Sequence, residues 1–172
     1  MGEAAGEYVI RPAAECDLDA IAGFEVTIAR VSFGDEAITD AAFHRRRVAG
    51  ALGKPGEVML VAVPAAGAES VPVGWAWLSA RTNSLTGERY GNFRSLAVAE
   101  QQGRRTVAGQ QGRGAVAEQL MAAVLRAAGD AGLTHLTGKV HAANVGMRAL
   151  YRAFGFTATH LTMERRVSGQ PS

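Results

Sequence analysis

The sequence predicts an α/β fold, a single domain in which helices flank a mixed β-sheet in the order β-α-α-β-β-β-α-β-α-β. Short apolar runs, bounded by glycine, proline and polar residues, predict the strands. Stretches in which apolar side chains recur every three to four residues predict the helices. A length of 172 residues fits one domain with a sizeable core. We expect the domain to span residues 8–167, with flexible tails at 1–7 and 168–172.

Composition and charge exclude several classes of function. The net charge is only +2, and the 18 basic residues are spread along the chain, which argues against a nucleic-acid partner. The arginine run at residues 45–47 is typical of a solvated helix face. No apolar run approaches the roughly 18 residues that span a membrane, and the N-terminus lacks a signal-peptide pattern. Four scattered histidines predict no metal site, and the single cysteine, Cys16, fits a reducing cytoplasm.

The first half of the chain begins with one strand and two helices. The segment Tyr8-Val9-Ile10-Arg11 predicts a short strand, which Pro12 stops. Asp17 is a typical N-cap for the first helix, which Gly34 ends. The second helix begins after either Thr39 or Asp40, since both residue types cap helices.

Three apolar runs then predict three strands, at residues 58–63, 71–81 and 90–98. A polar turn that contains Gly87 joins the last two strands into a hairpin. Trp75 and Trp77 lie on the same face, because side chains alternate along a strand. We expect one of these rings in the core and the other facing a pocket.

The second half alternates helices and strands. A glycine-rich turn at residues 110–114 precedes a helix with one apolar stripe, formed by Val116, Leu120, Val124, Leu125 and Ala128. Residues 135–140 predict a strand, Asn144 begins the next helix, and residues 157–167 predict a last strand. The strand, the glycine turn and the helix N-terminus together predict an anion site, usually for phosphate.

The sequence Gln-Gln-Gly-Arg occurs twice, at residues 101–104 and again at 110–113. We expect the second copy to bind the anion, because Gly114 opens the amphipathic helix that follows it. The first copy is expected to bulge out as extra loop. The alternative interpretation of these glycines is a tight connection between strand and helix that binds no ligand.

Two motifs carry a resemblance that covers nearly the whole chain. Leu96-Ala97-Val98 ends a strand and leads to Gln111-Gly112-Arg113-Gly114, and later Asn144, Leu150, Tyr151, Gly155 and Phe156 follow in register. In these two motifs, the chain resembles the GNAT superfamily of acyl-CoA-dependent N-acetyltransferases. The resemblance implies acetyl-CoA as co-substrate, no metal, and a primary amine of a small molecule or a peptide as acceptor. A homodimer is compatible with it.

The resemblance also implies the roles of particular residues. It gives the donor for the carbonyl oxygen to the backbone amide of Val98, and the acid that protonates the departing thiolate to Tyr151. The residues implied to contact the cofactor are Leu96, Ala97, Val98, Gln110, Gln111, Gly112, Arg113, Gly114, Ala115, Asn144, Arg148 and Tyr151. The expected acceptor pocket consists of Glu25, Phe33, Trp75, Trp77, Glu88 and Arg94.

The general base is left open, because no carboxylate lies on the strand before Leu96. Glu88, Glu25, a water chain or an amine that arrives neutral could each serve. A dinucleotide-binding oxidoreductase is excluded, since the strand that ends near Val140 carries no acid to hold a ribose hydroxyl. A non-catalytic acyl-CoA-binding or regulatory module remains the alternative, and Tyr151 counts against it.

Overall fold

The computed structural model describes residues 8–65, 70–99 and 107–165, with the backbone alone at 107–112. The predicted tails lie outside these residues, and the predicted domain span stays a prediction. The strands are β1 (Tyr8–Pro12), β2 (Glu57–Pro64), β3 (Gly74–Thr82), β4 (Arg89–Val98) and β5 (Leu136–Gly138). The helices are α1 (Leu18–Phe33), α2 (Ala41–Ala49), α3 (Val107–Asp130) and α4 (Val145–Ala153), with 3-10 turns at Glu15–Asp17 and Gly34–Glu36.

The five strands form one mixed sheet in the order β1-β2-β3-β4-β5. Strands β1 to β4 are antiparallel neighbours, so the predicted hairpin of β3 and β4 is confirmed. Strand β5 lies parallel to β4. The chain reaches β5 through α3, which supplies the crossover that parallel strands need.

One face of the sheet packs against α3 and α4. The predicted apolar stripe of α3 is confirmed, since Val116, Leu120, Val124 and Ala128 are buried. Helix α3 approaches the sheet closely at Gly74, where an added Cβ atom would lie 2.8 Å from a methyl carbon of Leu120. A residue without a side chain is therefore required at this point of β3.

The opposite face packs against α1 and α2. Its core contains Ile21 of α1, Val48 of α2 and Val61 of β2, together with both tryptophans. Trp75 and Trp77 are 0% and 1% exposed. The expectation that one ring faces an open pocket is therefore wrong, because the two helices cover the strand along this length.

Two of the predicted helix ends are confirmed, at Asp40 and Gly34, and the cap predicted at Asp17 is not. Asp40, not Thr39, caps α2, since its carboxylate accepts a hydrogen bond of 2.9 Å from the amide of Ala42. Gly34 ends α1 with φ of 55°, a conformation that favours glycine. Asp17 directly precedes α1, but its carboxylate binds Arg11 at 2.7 Å instead of capping the helix.

Strand β3 begins at Gly74 and not at 71, β5 is shorter than the predicted 135–140, and two larger differences concern residues 110–114 and 157–165. Residues 110–114 are helical, because α3 begins at Val107. A glycine inside a helix costs only about 1 kcal/mol, which a helix of 24 residues can absorb. The first Gln-Gln-Gly-Arg copy lies outside the described residues. Residues 157–165 form no strand and are exposed, and in the described part of the chain β5 pairs with β4 alone.

Candidate active site

The site begins with a gap between β4 and β5. The register of β3 and β4 shifts between Trp77 and Leu78, which leaves Arg94 as the extra residue of a β-bulge. Strand β4 pairs with β5 only at Gly91, Asn92 and Phe93. Beyond Phe93 the pairing ends, and among the described residues no strand covers this edge of the last residues of β4.

A cavity of about 460 Å³ adjoins this open edge. Strand β4, the first half of α3 and helix α4 supply its walls. The lining residues are Leu96, Ala97, Val98, Gly114, Ala117, Glu118, Asn144, Gly146, Met147, Ala149, Leu150 and Ala153. Five of the predicted cofactor residues are thus brought together, namely Leu96, Ala97, Val98, Gly114 and Asn144. The wall is mostly apolar, which suits a long and largely uncharged ligand arm.

The backbone of β4 directs a donor toward the gap. The amide of Ala99 donates to the carbonyl oxygen of Val73 at 2.8 Å, so this N–H faces β3. Amide groups alternate in direction along a strand, and the N–H of Val98 therefore faces the opposite edge. That edge is the one from which β5 has separated.

The other residues predicted to contact the cofactor lie on α3 and α4, at different positions relative to the cavity. Asn144 caps α4, since its side-chain oxygen accepts a hydrogen bond of 3.0 Å from the amide of Met147. Arg148 donates to the carbonyl oxygen of Ala142 at 2.9 Å and does not line the cavity. Arg113 and Ala115 belong to α3 and do not line it either. Residues 110–112 lie in the first turns of α3, where only their backbone is described.

Tyr151 lies at the point where β4 and β5 separate. Its ring is 7% exposed and packs between Phe93, at a centroid distance of 6.0 Å, and Phe156, at 4.7 Å. Its hydroxyl oxygen touches Gly138 so closely that an added Cβ atom there would overlap it. Phe93 and Gly138 form the last residue pair of the two strands. Burial raises the pKa of the Tyr151 phenol to about 12.

On the opposite face of the sheet, Glu25 and Trp75, two of the residues predicted for the acceptor pocket, are in contact. Glu25 is 3% exposed, and its Oε1 atom accepts a hydrogen bond of 2.8 Å from the indole nitrogen of Trp75. Its Oε2 atom accepts one from Arg47, which also forms an ion pair with it. Arg47 was missed, because the arginine run was interpreted as a solvated helix face. One of its three side chains in fact points toward the sheet.

A second, half-buried carboxylate, Glu57, lies against the neighbouring tryptophan and was also missed. Glu57 begins β2 and accepts hydrogen bonds from Trp77 at 2.7 Å, from Ser79, and from Arg81 at 3.3 Å. Burial alone would raise the pKa of Glu57, but these hydrogen bonds and the charge of Arg81 hold it below its ordinary value. The signal that could have found it is the pairing of Glu57 with Ser79 on adjacent strands.

Arg94 joins this group, whereas two other predicted pocket residues do not. The guanidinium of Arg94 lies 4.3 Å from the ring centroid of Trp77. Phe33 is 66% exposed at the end of α1.

Glu88 precedes β4 and lies 3.9 Å from His135. At about 3.3 Å per residue, the length of β4 places Glu88 roughly 30 Å from Val98. This length separates Glu88 from the end of β4 that borders the cavity.

Two features are absent from the described part of the chain. No helix there is both long and apolar enough to cross a membrane. No group of three or more histidine, cysteine, aspartate or glutamate side chains there could hold a metal ion.

The family model of the acetyltransferase (GNAT) family matches residues 27–156 of the chain. This match covers most of the chain, so the protein belongs to the GNAT acetyltransferase family, and the predicted resemblance is confirmed. No curated protein has a matching sequence.

Solved structures of acetyltransferases share the fold. A probable acetyltransferase has a TM-score of 0.68 at 21% identity, with 94% of this chain and 99% of that chain covered. Aminoglycoside antibiotic 6'-N-acetyltransferase AAC(6')-Ih from Acinetobacter baumannii has a TM-score of 0.66 at 15% identity, with 94% of this chain and 98% of that chain covered. AAC(6')-Iy in complex with the bisubstrate analog CoA-S-monomethyl-acetylneamine has a TM-score of 0.64 at 20% identity, with 95% of this chain and 99% of that chain covered. At these identities the likeness shows the fold alone.

Proposed function

We propose that the protein transfers the acetyl group of acetyl-CoA to a primary amine of a small molecule or peptide, by direct attack of the amine. The observation that carries this proposal is the gap between β4 and β5. Val98 lines the 460 Å³ cavity at this gap, and the Tyr151 hydroxyl, which is not part of the cavity lining, lies at Gly138 where the gap begins. A donor and an acid at one opening are the two groups that acyl transfer from a thioester needs.

The cavity is the proposed site of the thioester arm of acetyl-CoA. Its apolar wall from β4 and α4 favours a ligand arm of low charge. The diphosphate is assigned to the N-terminus of α3, with the second Gln-Gln-Gly-Arg copy contributing from within that helix. The amides of the first turn of a helix have no partner in it, which here leaves the amides of residues 107–109 for an anion.

The Val98 amide is proposed to stabilise the negative charge that develops on the carbonyl oxygen during attack. A donor of this kind, fixed in the backbone of a sheet, needs no reorganisation as the charge forms. The bulge at Arg94 and the short pairing of β5 support this role, because together they leave the edge of β4 open at Val98.

Tyr151 is proposed as the general acid that gives a proton to the departing thiolate. A pKa of about 12 keeps the phenol protonated throughout the physiological range. It also makes transfer to an ordinary thiolate, with a pKa of about 8.5, unfavourable by roughly 5 kcal/mol. The thiolate forms beside the same buried ring, and burial raises the pKa of a thiol as well, which reduces this difference.

No carboxylate is proposed as the general base. Both oxygens of Glu25 already accept hydrogen bonds, from Trp75 and Arg47, and Glu88 lies too far away. The amine is therefore proposed to lose its proton to water or to bind already neutral. The cytoplasm remains the predicted location on the ground of cysteine usage, and a homodimer remains a prediction.

The experiment that tests the proposal measures the release of free thiol from acetyl-CoA with a panel of primary amines. Amine-dependent release is expected, together with an acetylated product of matching mass. Tight binding of acetyl-CoA by calorimetry without any amine-dependent release would favour the alternative, a non-catalytic acyl-CoA-binding module. Absence of binding would overturn both.

A further inference from the structure

A group of five charged side chains lies on the face of the sheet that α1 and α2 cover. It consists of two carboxylates, Glu25 and Glu57, and three guanidinium groups, Arg47, Arg81 and Arg94. We call it the arginine cluster. Trp75 and Trp77 form its floor, since each indole nitrogen donates to one of the two carboxylates. The cluster has a net charge of +1.

Both carboxylates of the cluster already have their partners. Glu25 pairs with Arg47, and Glu57 pairs with Arg81 at 3.3 Å. Tryptophan and serine donors occupy further lone pairs of these oxygens. Neither carboxylate is therefore available to neutralise the third arginine.

Arg94 is the cation that the cluster leaves uncompensated. Among the described residues, no carboxylate oxygen lies within 4.0 Å of its guanidinium nitrogens, and the side chain is exposed. Its guanidinium lies 4.3 Å from the ring centroid of Trp77, and that of Arg47 lies 5.3 Å from the same centroid. Partial burial lowers the pKa of Arg94, and repulsion from Arg47 and Arg81 adds to this effect more than Glu57 and Glu25 oppose it.

We propose that Arg94 binds an anionic group on the acceptor, so that the substrate is a small amine that carries a carboxylate or a comparable anion. This inference rests on the proposed acetyl transfer. Arg94 belongs to β4, four residues before Val98, and both flank the opening between β4 and β5. An amine that attacks at this opening can extend its other end along the strand toward the guanidinium.

The chemistry of arginine suits this role. Its planar guanidinium binds a carboxylate or a phosphate through two parallel hydrogen bonds, which fixes the direction of the ligand as well as its charge. The Trp77 ring holds the guanidinium in place from one side. The net positive charge of the cluster also disfavours a polycationic acceptor, which two unpaired carboxylates would have attracted.

The first experiment compares amino acids with their amides at equal chain length, together with aminophosphonates and ω-amino acids of increasing length. An amino amide is less basic than the acid, so more of it is neutral at pH 7, and uncatalysed chemistry favours the amide. We expect the protein to reverse this order, with kcat/KM at least about tenfold higher for the anion. The phosphonate arm distinguishes phosphate-like from carboxylate substrates. Equal or better use of the amides would overturn the inference.

The second experiment replaces the cation. In Arg94→Met the KM for the anionic amine is expected to rise about 10- to 100-fold while that for its amide stays within about threefold. Arg94→Lys should recover part of the loss, because it keeps the charge without the paired donors. Arg89→Met is the matched control, because Arg89 is the first residue of the same strand, at the end away from Val98. This change should alter neither KM. An equal loss for the acid and the amide would contradict the assignment.

A third measurement separates this inference from the proposed reaction. Amino acids and amides are titrated calorimetrically into the wild-type protein and the Arg94→Met variant, both saturated with free CoA so that no turnover occurs. Selective binding of the acid that requires Arg94 would support the inference even if thiol release were absent. Turnover of amines without any such selectivity would support the reaction and overturn the inference.

Discussion

At the scale of single residues, the burial of Tyr151 has two opposed effects on its chemistry. Packing between Phe93 and Phe156 fixes the hydroxyl at Gly138, where the strands separate. The same packing raises the pKa to about 12 and so weakens the phenol as an acid. The motif around Asn144 was sufficient to find this tyrosine from the sequence. Its pKa was not predictable, because it depends on neighbours from three different elements.

The first prediction tests the acid role through Tyr151→Phe. The change removes one hydroxyl and keeps the ring, so the packing against Phe93 should persist. We expect kcat to fall at least about tenfold, at the low end of the usual contribution of a general acid. The Kd of acetyl-CoA should stay nearly unchanged. An unchanged kcat with a good amine, under conditions in which chemistry limits the rate, would make Tyr151 a structural residue.

The second prediction concerns alkaline stability. The pKa of Tyr151 is higher in the folded state, at about 12, than the value near 10 expected when unfolded. The stabilising effect is therefore complete below pH 10 and is lost as the pH rises toward 12. The free energy of unfolding should fall by about 2–3 kcal/mol across this window. Urea titrations at several pH values measure it. In Tyr151→Phe the free energy of unfolding should fall less over the same pH range. If the wild type and the variant showed the same pH dependence, the loss could not be assigned to Tyr151.

At the scale of elements, prediction succeeded where a pattern has one local cause. The stripe of α3 and the caps at Asp40 and Asn144 depend on nearby residues, and the structure contains them all. Two boundaries depend on more distant effects. The glycines of residues 110–114 resemble a turn, but cooperative helix formation extends α3 through them. Residues 157–165 have strand-like composition, yet they pair with no strand of the described residues.

The third prediction tests the role of α3 in binding. Gly114 lines the cavity and has no heavy atom within 4 Å of an added Cβ, so Gly114→Leu should fold and fill the cavity. We expect the Kd of acetyl-CoA, measured by calorimetry, to increase at least about tenfold. Gly129→Leu is the matched control, because Gly129 lies in the same helix with equally open surroundings and does not line the cavity. Equal affinity in both variants would exclude this part of α3 from the binding site.

At the scale of the whole molecule, the sheet separates two kinds of chemistry. The cavity and Tyr151 lie with α3 and α4 on one face, and the arginine cluster lies with α1 and α2 on the other. The sequence predicted five of the residues that line the cavity on the first face, because their motifs are contiguous. It predicted the second only in part. Arg47, Glu57 and Arg81 come from separate elements, and long-range pairing of their charges has no signature in a single sequence.

The short pairing of β5 also determines how the molecule should open. Strands β2, β3 and β4 each have neighbours on both sides, whereas in the described part of the chain β5 has only three residue pairs with β4. Backbone amides of Leu136–Gly138 and of α4 should therefore exchange their hydrogens with deuterium well before those of β3, through a partial opening that leaves the antiparallel strands intact. A ligand that contacts both β4 and α4 closes that opening. At a concentration 100 times its Kd, acetyl-CoA should slow exchange in β5 and α4 by about 100-fold. Exchange at one common rate in all five strands, with or without acetyl-CoA, would instead mean that the sheet opens only as a single unit.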